Sequence, residues 1–162
     1  MLHLISPRLH IALLRTAHAL RRRWWHVRGT RVSGAQVVAL DGEGRVLLIR
    51  HSYGSSHWTL PGGGMRRGES AVAAAMREAF EEAAVRLTGA VEIAVMKHMP
   101  HGSNNDIRVV AGWTIDLPRA DGREIVAAQF FALHALPSDM ARSLPGLLPG
   151  YVTTAKAARR VA

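Results

Sequence analysis

The periodicity of apolar positions changes several times along the chain, and each change marks an expected element. Near the N-terminus Leu9, Leu13, Ala17, Leu20 and Trp24 recur at helical spacing, with Arg8, Arg15 and Arg22 on another side. Ser6-Pro7 supplies an N-cap followed by proline at the first helical position. From Ser33 the pattern becomes that of strands. Ala35–Leu40 and Arg45–Arg50 flank Asp41-Gly42-Glu43-Gly44, which predicts a hairpin. A loop at 51–57 leads to a short strand, Trp58-Thr59-Leu60, and then to Pro61-Gly62-Gly63-Gly64. An alanine- and glutamate-rich helix is expected over Glu69–Leu87. Strands follow at about 91–98 and 107–115, a turn at Asp121-Gly122, and a strand from Ile125 to Ala132. Leu136–Asp139 begins a turn or short helix, and a terminal helix is expected after Tyr151. Strands alternating with at least two helices predict an α/β domain whose mixed sheet is covered on both faces.

The chemistry concentrates around the glycines and the helix that follows them. Glu78, Glu81 and Glu82 stand at i, i+3 and i+4, so a helix brings three carboxylates to neighbouring positions. Their mutual repulsion opposes folding unless a cation offsets it. Hard divalent ions prefer carboxylate oxygens and often share them with substrate phosphates, so the cluster points to Mg²⁺, with Mn²⁺ as the second candidate. Gly62, Gly63 and Gly64 permit backbone conformations closed to other residues and close approach to a ligand or phosphate. Arg77 reaches Glu81 at i+4 and is expected to orient it. Glu69 is expected to begin the helix, where its charge favours the positive end of the dipole.

These residues resemble the signature of the Nudix hydrolases: Gly, five residues, Glu, seven residues, then Arg-Glu-aliphatic-any-Glu-Glu-any-Gly-aliphatic. Here the positions are Gly63, Glu69, Arg77, Glu78, Ala79, Glu81, Glu82, Ala84 and Val85, with every charged one intact. The resemblance implies the family's α/β/α sandwich. It also implies a metal-dependent pyrophosphohydrolase that cleaves a nucleoside diphosphate linked to another moiety by water attack on phosphorus. By the same resemblance Glu78 and Glu82 are the leading metal ligands, Glu81 the next, and the Gly63 carbonyl completes the shell, with Arg77 in the catalytic set. A later carboxylate often joins such sites, and Glu124 is the candidate. Either Glu78 or Glu124 is left as the base. A non-catalytic nucleotide-sensing module is the alternative; the intact carboxylates favour the hydrolase. Two positions depart from the signature. Ala79 replaces a larger aliphatic, and Ala84 replaces the glycine that closes the helix. Without that glycine the helix is expected to run on to Leu87 and to terminate at Gly89.

Composition narrows the setting. The 162 residues suit one domain with a sizeable core. With no cysteine, disulfides and thiolate metal sites are excluded, and the expected location is cytoplasmic. No run of 18 apolar residues exists to span a membrane. The net charge of +9 lies in the flanks: residues 1–31 hold seven arginines and no acid, and residues 142–162 hold four basic residues and no acid. Three parts are expected on this basis: a basic amphipathic helix at 1–30, the catalytic domain at 31–140, and a basic C-terminal segment at 141–162. The N-terminal helix is expected to dock on the domain or on a second subunit, as in a homodimer. Contact with a membrane surface or nucleic acid is its alternative use. A signal peptide is disfavoured, because Arg15 interrupts the apolar stretch. The substrate is expected to be a nucleotide-type small molecule. His51, Tyr53, His57 and Trp58 flank the glycine loop, and His51 and Trp58 are the chosen contacts to its base or leaving group. His98 and His101 read as ordinary loop residues.

Overall fold

A computed structural model of the chain describes residues 33–52, 56–98 and 105–160. The expected N-terminal amphipathic helix, Tyr53 and His101 lie outside them. Within the described residues six strands form one sheet: β1 (Gly34–Leu40), β2 (Val46–His51), β3 (Gly62–Gly64), β4 (Thr88–His98), β5 (Asn105–Trp113) and β6 (Ile125–Phe131). Among the described residues two helices, α1 (Ala71–Ala83) and α2 (Leu144–Arg159), accompany them, with a short 3₁₀ turn at Leu133–Ala135.

The sheet runs β4-β5-β1-β2-β6, and β1 lies parallel to β5 while its other neighbours are antiparallel. In β1, Val37, Val38, Ala39 and Leu40 are all fully buried. A strand covered on both faces has no polar side to present, which is why this run is apolar without alternation. The β1–β2 hairpin is closed by Asp41, whose Oδ1 accepts the amides of Glu43 and Arg45. The two strands pair at Leu40↔Val46 beside the turn and then separate. Residues 58–64 enter the gap. Thr59 exchanges backbone hydrogen bonds with Ile49 of β2, Pro61 accepts the Val37 amide, and β3 pairs with Gly34–Gln36. The expected strand at Trp58–Leu60 is therefore a pair of isolated bridges, to Ile49 and Met140. This wedge delivers the glycines to the face of the sheet that α1 covers.

Two cores lie on opposite faces of the sheet, giving the expected α/β/α sandwich. On one, Val37, Ala39, Leu47, Ile49 and Val110 meet Ala71, Ala74, Ala75, Ala79 and Ala83 of α1. On the other, Val38, Leu40, Val46 and Leu48 meet Leu144, Leu148, Val152 and Ala155 of α2. The all-alanine face brings α1 close to the sheet, and Ala79 is fully buried within it.

The helix ends differ from expectation. The first turn of α1 is capped by Ser70, whose hydroxyl accepts the Ala73 amide at 3.1 Å, so Glu69 precedes the helix. At the other end Ala84 itself takes the left-handed conformation, φ 56° and ψ 30°. Its amide bonds to the Phe80 carbonyl and the Val85 amide to the Ala79 carbonyl. The helix therefore stops at Ala83 rather than Leu87, because Val85 and Leu87 are drawn into the core as the chain turns toward β4. The helix α2 starts seven residues before Tyr151. Pro145 sits in its first turn, where a missing amide costs little, and the buried stripe continues past Pro149.

Candidate active site

Two side chains of α1 lie against the glycine strand, one helical turn apart. Glu82 is buried, and its Oε2 accepts the Gly62 amide at 2.8 Å. Glu78 occupies the space beside Gly63: a Cβ built there would lie 2.6 Å from the Glu78 Cδ and 2.8 Å from its Oε2. Glycine is therefore required at 63 for the carboxylate to approach the backbone. At Gly62 the obstacle is the sheet itself, since a Cβ would run into the Ala35 carbonyl and lie 3.0 Å from the Gln36 Cα.

Arg77 organises the rim. Its Nε and Nη2 donate to the two oxygens of Glu69 at 2.9 and 3.0 Å, and Nη2 also donates to the Gly64 carbonyl at 3.0 Å. Its Nη1 donates to Glu78 at 2.6 Å and to Glu81 at 3.2 Å. Glu69 additionally accepts the Arg66 amide at 2.7 Å, so it anchors Arg77 and fixes the loop backbone together. The sequence reading gave Glu69 a dipole role. Its part as the clamp for an arginine eight residues on was missed, although the opposite charges at fixed spacing carry that signal.

The electrostatics follow from this geometry. Burial pushes the Glu82 carboxyl up to about 8, and the charges of Glu78, Glu124 and Glu81 add to the effect while the Gly62 amide opposes it. The Arg77 guanidinium, helped by the Arg66 amide, holds Glu69 down at about 2. Glu69 in turn raises Arg77. A buried Glu82 among other carboxylates is the mark of a site short of positive charge.

The structure brings Gly62, Gly63, Glu78, Glu81, Glu82 and Arg77 together, with Gly64 contributing its carbonyl to Arg77. His51 joins them from the end of β2, its Nε2 3.8 Å from Glu82 Oε1. Glu124 bears on Glu82 through its charge, and its backbone carbonyl accepts the Ser52 amide at 2.9 Å. The Glu124 loop is held by Asp121, whose Oδ1 accepts the amides of Arg123, Glu124 and Ile125. Sequence reasoning placed a turn at Asp121 but missed this bracing. Trp58 is not brought to the carboxylates. It is buried in the core on the α2 side, edge-on to Phe131 at 5.0 Å with the Arg50 guanidinium 4.9 Å from its ring. His57 is exposed.

Among the described residues no three acidic or histidine side chains converge closely enough to hold an ion as they stand. Glu78 and Glu81 both turn toward Arg77 Nη1 instead. The donor chemistry nonetheless fits a hard divalent cation: the carboxylates offer oxygen alone, and the burial of Glu82 beside Glu78 is unfavourable without added positive charge.

A family model described as the NUDIX domain matches residues 30–150. Among solved structures, a NUDIX hydrolase from Nitrosomonas europaea is 25% identical with a TM-score of 0.66, over 79% of this chain and 73% of that one. A MutT NUDIX hydrolase from Burkholderia pseudomallei is 24% identical with a TM-score of 0.61, over 73% and 95%. A C. elegans Ap4A hydrolase, solved as a binary complex, is 20% identical with a TM-score of 0.63, over 78% and 98%. No curated protein matches the sequence.

Proposed function

The chain belongs to the Nudix family of hydrolases, and from that premise we propose a Mg²⁺-dependent pyrophosphohydrolase, able to use Mn²⁺, that cleaves a nucleoside diphosphate linked to another moiety. Nudix enzymes generally use divalent metals and act on nucleotide-type substrates. The observation that carries the reading is the pairing of Glu78 and Glu82 against Gly62 and Gly63, in a space that a side chain at 63 would fill. In this reading Glu78, Glu81, Glu82, Glu124 and the Gly63 carbonyl hold the ion. When bound, the cation neutralises phosphate charge and acidifies a water.

The chain's own residues then have defined tasks. Arg77, fixed by Glu69, would hold the Glu78 and Glu81 carboxylates in place, so that they need not reorganise as charge develops. Glu78 or Glu124 would take one proton as the water oxygen bonds to phosphorus. The anhydride P–O bond breaks with its electron pair on the departing phosphate, and the second proton of water goes to solvent. His51 and the glycine loop would contact the base or leaving group. The intact charged set of the signature favours turnover over nucleotide sensing.

Glu82→Gln tests the assignment. It is expected to lower Mg²⁺-dependent phosphate release by more than about 10²-fold while the far-ultraviolet circular dichroism is retained. Unchanged turnover on nucleoside diphosphate sugars, dinucleoside polyphosphates and nucleoside triphosphates would remove Glu82 from the site.

A further inference from the structure

We infer that Arg66 is a substrate contact that binds the terminal phosphate of a phosphate chain, which makes the preferred substrate one ending in free phosphate rather than in a sugar. This rests on the hydrolase reading above and specifies its substrate class. The charged groups form a row that runs from the interior to solvent. Glu82 and Glu78 have side chains 10% and 12% exposed, Glu81 is 50% exposed, and Arg66 ends the row at 68%. Arg77 lies within the row and is saturated by three carboxylates and a carbonyl. Arg66 has a looser tie: its Nη2 is 3.5 Å from Glu81 Oε1, at the limit of a hydrogen bond. An exposed ion pair of that length contributes little, so exchanging it for a phosphate costs little.

The backbone of Arg66 is fixed all the same. Its amide donates to Glu69 Oε2 and its carbonyl accepts the Glu69 amide at 3.0 Å. A pinned backbone carrying a weakly engaged guanidinium is a pre-placed cation at the mouth of an acidic site. A phosphate chain whose reacting anhydride lies beside Glu78 and Glu82 would meet Arg66 as it leaves toward solvent. Guanidinium matches phosphate oxygens with two parallel hydrogen bonds, and a neutral sugar offers that fork no charge.

Inorganic tripolyphosphate is the probe, titrated calorimetrically into wild type, Arg66→Ala, Arg66→Lys and Arg67→Ala, with Mg²⁺ and without metal. Arg67, the adjacent exposed arginine, controls for surface charge. Arg66→Ala is expected to weaken binding roughly tenfold in both conditions, Arg66→Lys to recover part of it, and Arg67→Ala to change it less than about threefold. In turnover, Arg66→Ala should raise KM for a nucleoside triphosphate several-fold more than KM for a nucleoside diphosphate sugar. An Arg66→Ala effect no larger than that of Arg67→Ala, or equal losses on both substrate classes, overturns the inference. Absence of tripolyphosphate binding to wild type overturns it as well. Binding that responds as expected, with no hydrolysis of any phosphate anhydride, would instead refute the hydrolase reading and leave the Arg66 contact standing.

Discussion

Glu82 and the glycines facing it show how single residues set the chemistry. A raised carboxyl value means the fold disfavours the ionised form. Below about pH 4.5 the carboxyl is protonated in both states, and the raised value has no effect on stability. Between 4.5 and about 8 the unfolded chain gives up the proton while the folded chain keeps it, so stability falls as pH rises. The metal-free protein should therefore lose stability across that window, by up to a few kcal/mol. Glu82→Gln removes the term, so thermal melts of the two proteins should diverge steadily from pH 5 to pH 8, with the variant the more stable. Parallel curves would mean that Glu82 ionises as freely in the fold as outside it. The neighbouring glycines separate function from folding. Gly63→Ala meets the far end of the Glu78 side chain, which can swing away, so Tm should hold while activity falls by about 10²-fold or more. Gly62→Ala meets sheet backbone that cannot yield, so Tm itself should fall by several degrees.

At the scale of elements, the end of α1 shows what a sequence can and cannot declare. The charged positions of the helix were legible, because i, i+3 and i+4 spacing is a local property. Where the helix stops was not, because that depends on Val85 and Leu87 finding a core to which four strands contribute. Burial of those two side chains outweighs the strain of a left-handed alanine, which is about 1–2 kcal/mol. Ala84→Gly relieves that strain without touching the packing. It is expected to stabilise the protein by about 1 kcal/mol, equivalent to a Tm rise of roughly 2–4 °C, with kinetics unchanged. An equal or lower Tm would show that Ala84 is not strained. Glu69 gives the complementary case. Its spacing from Gly63 and Arg77 was readable, yet its two-point hold on Arg77 appears only when the loop folds back over the helix face.

For the molecule as a whole, the sheet separates two cores that serve different ends. The alanine face of α1 holds the carboxylates close to the glycine strand, while α2 seals the opposite face with larger side chains. The strand pattern made the two-sided covering legible. The extent of α2 was concealed by Pro145 and Pro149, which read locally as breaks although Leu144, Leu148, Val152 and Ala155 continue one buried stripe across them. Trp58 was misleading for a related reason: proximity in sequence to the glycines does not decide which face of the sheet a side chain takes. The separation of the faces has a testable consequence. Leu148 is fully buried on the α2 side, so Leu148→Ala should cost about 3 kcal/mol and lower Tm by roughly 6–12 °C. The carboxylate row is carried by α1 and the glycine strand, and neither packs against Leu148. At a temperature where the variant remains folded, kcat and KM should therefore match wild type within about twofold. A large loss of kcat without unfolding would mean that α2 positions the site through the sheet, and that the two faces do not divide stability from catalysis.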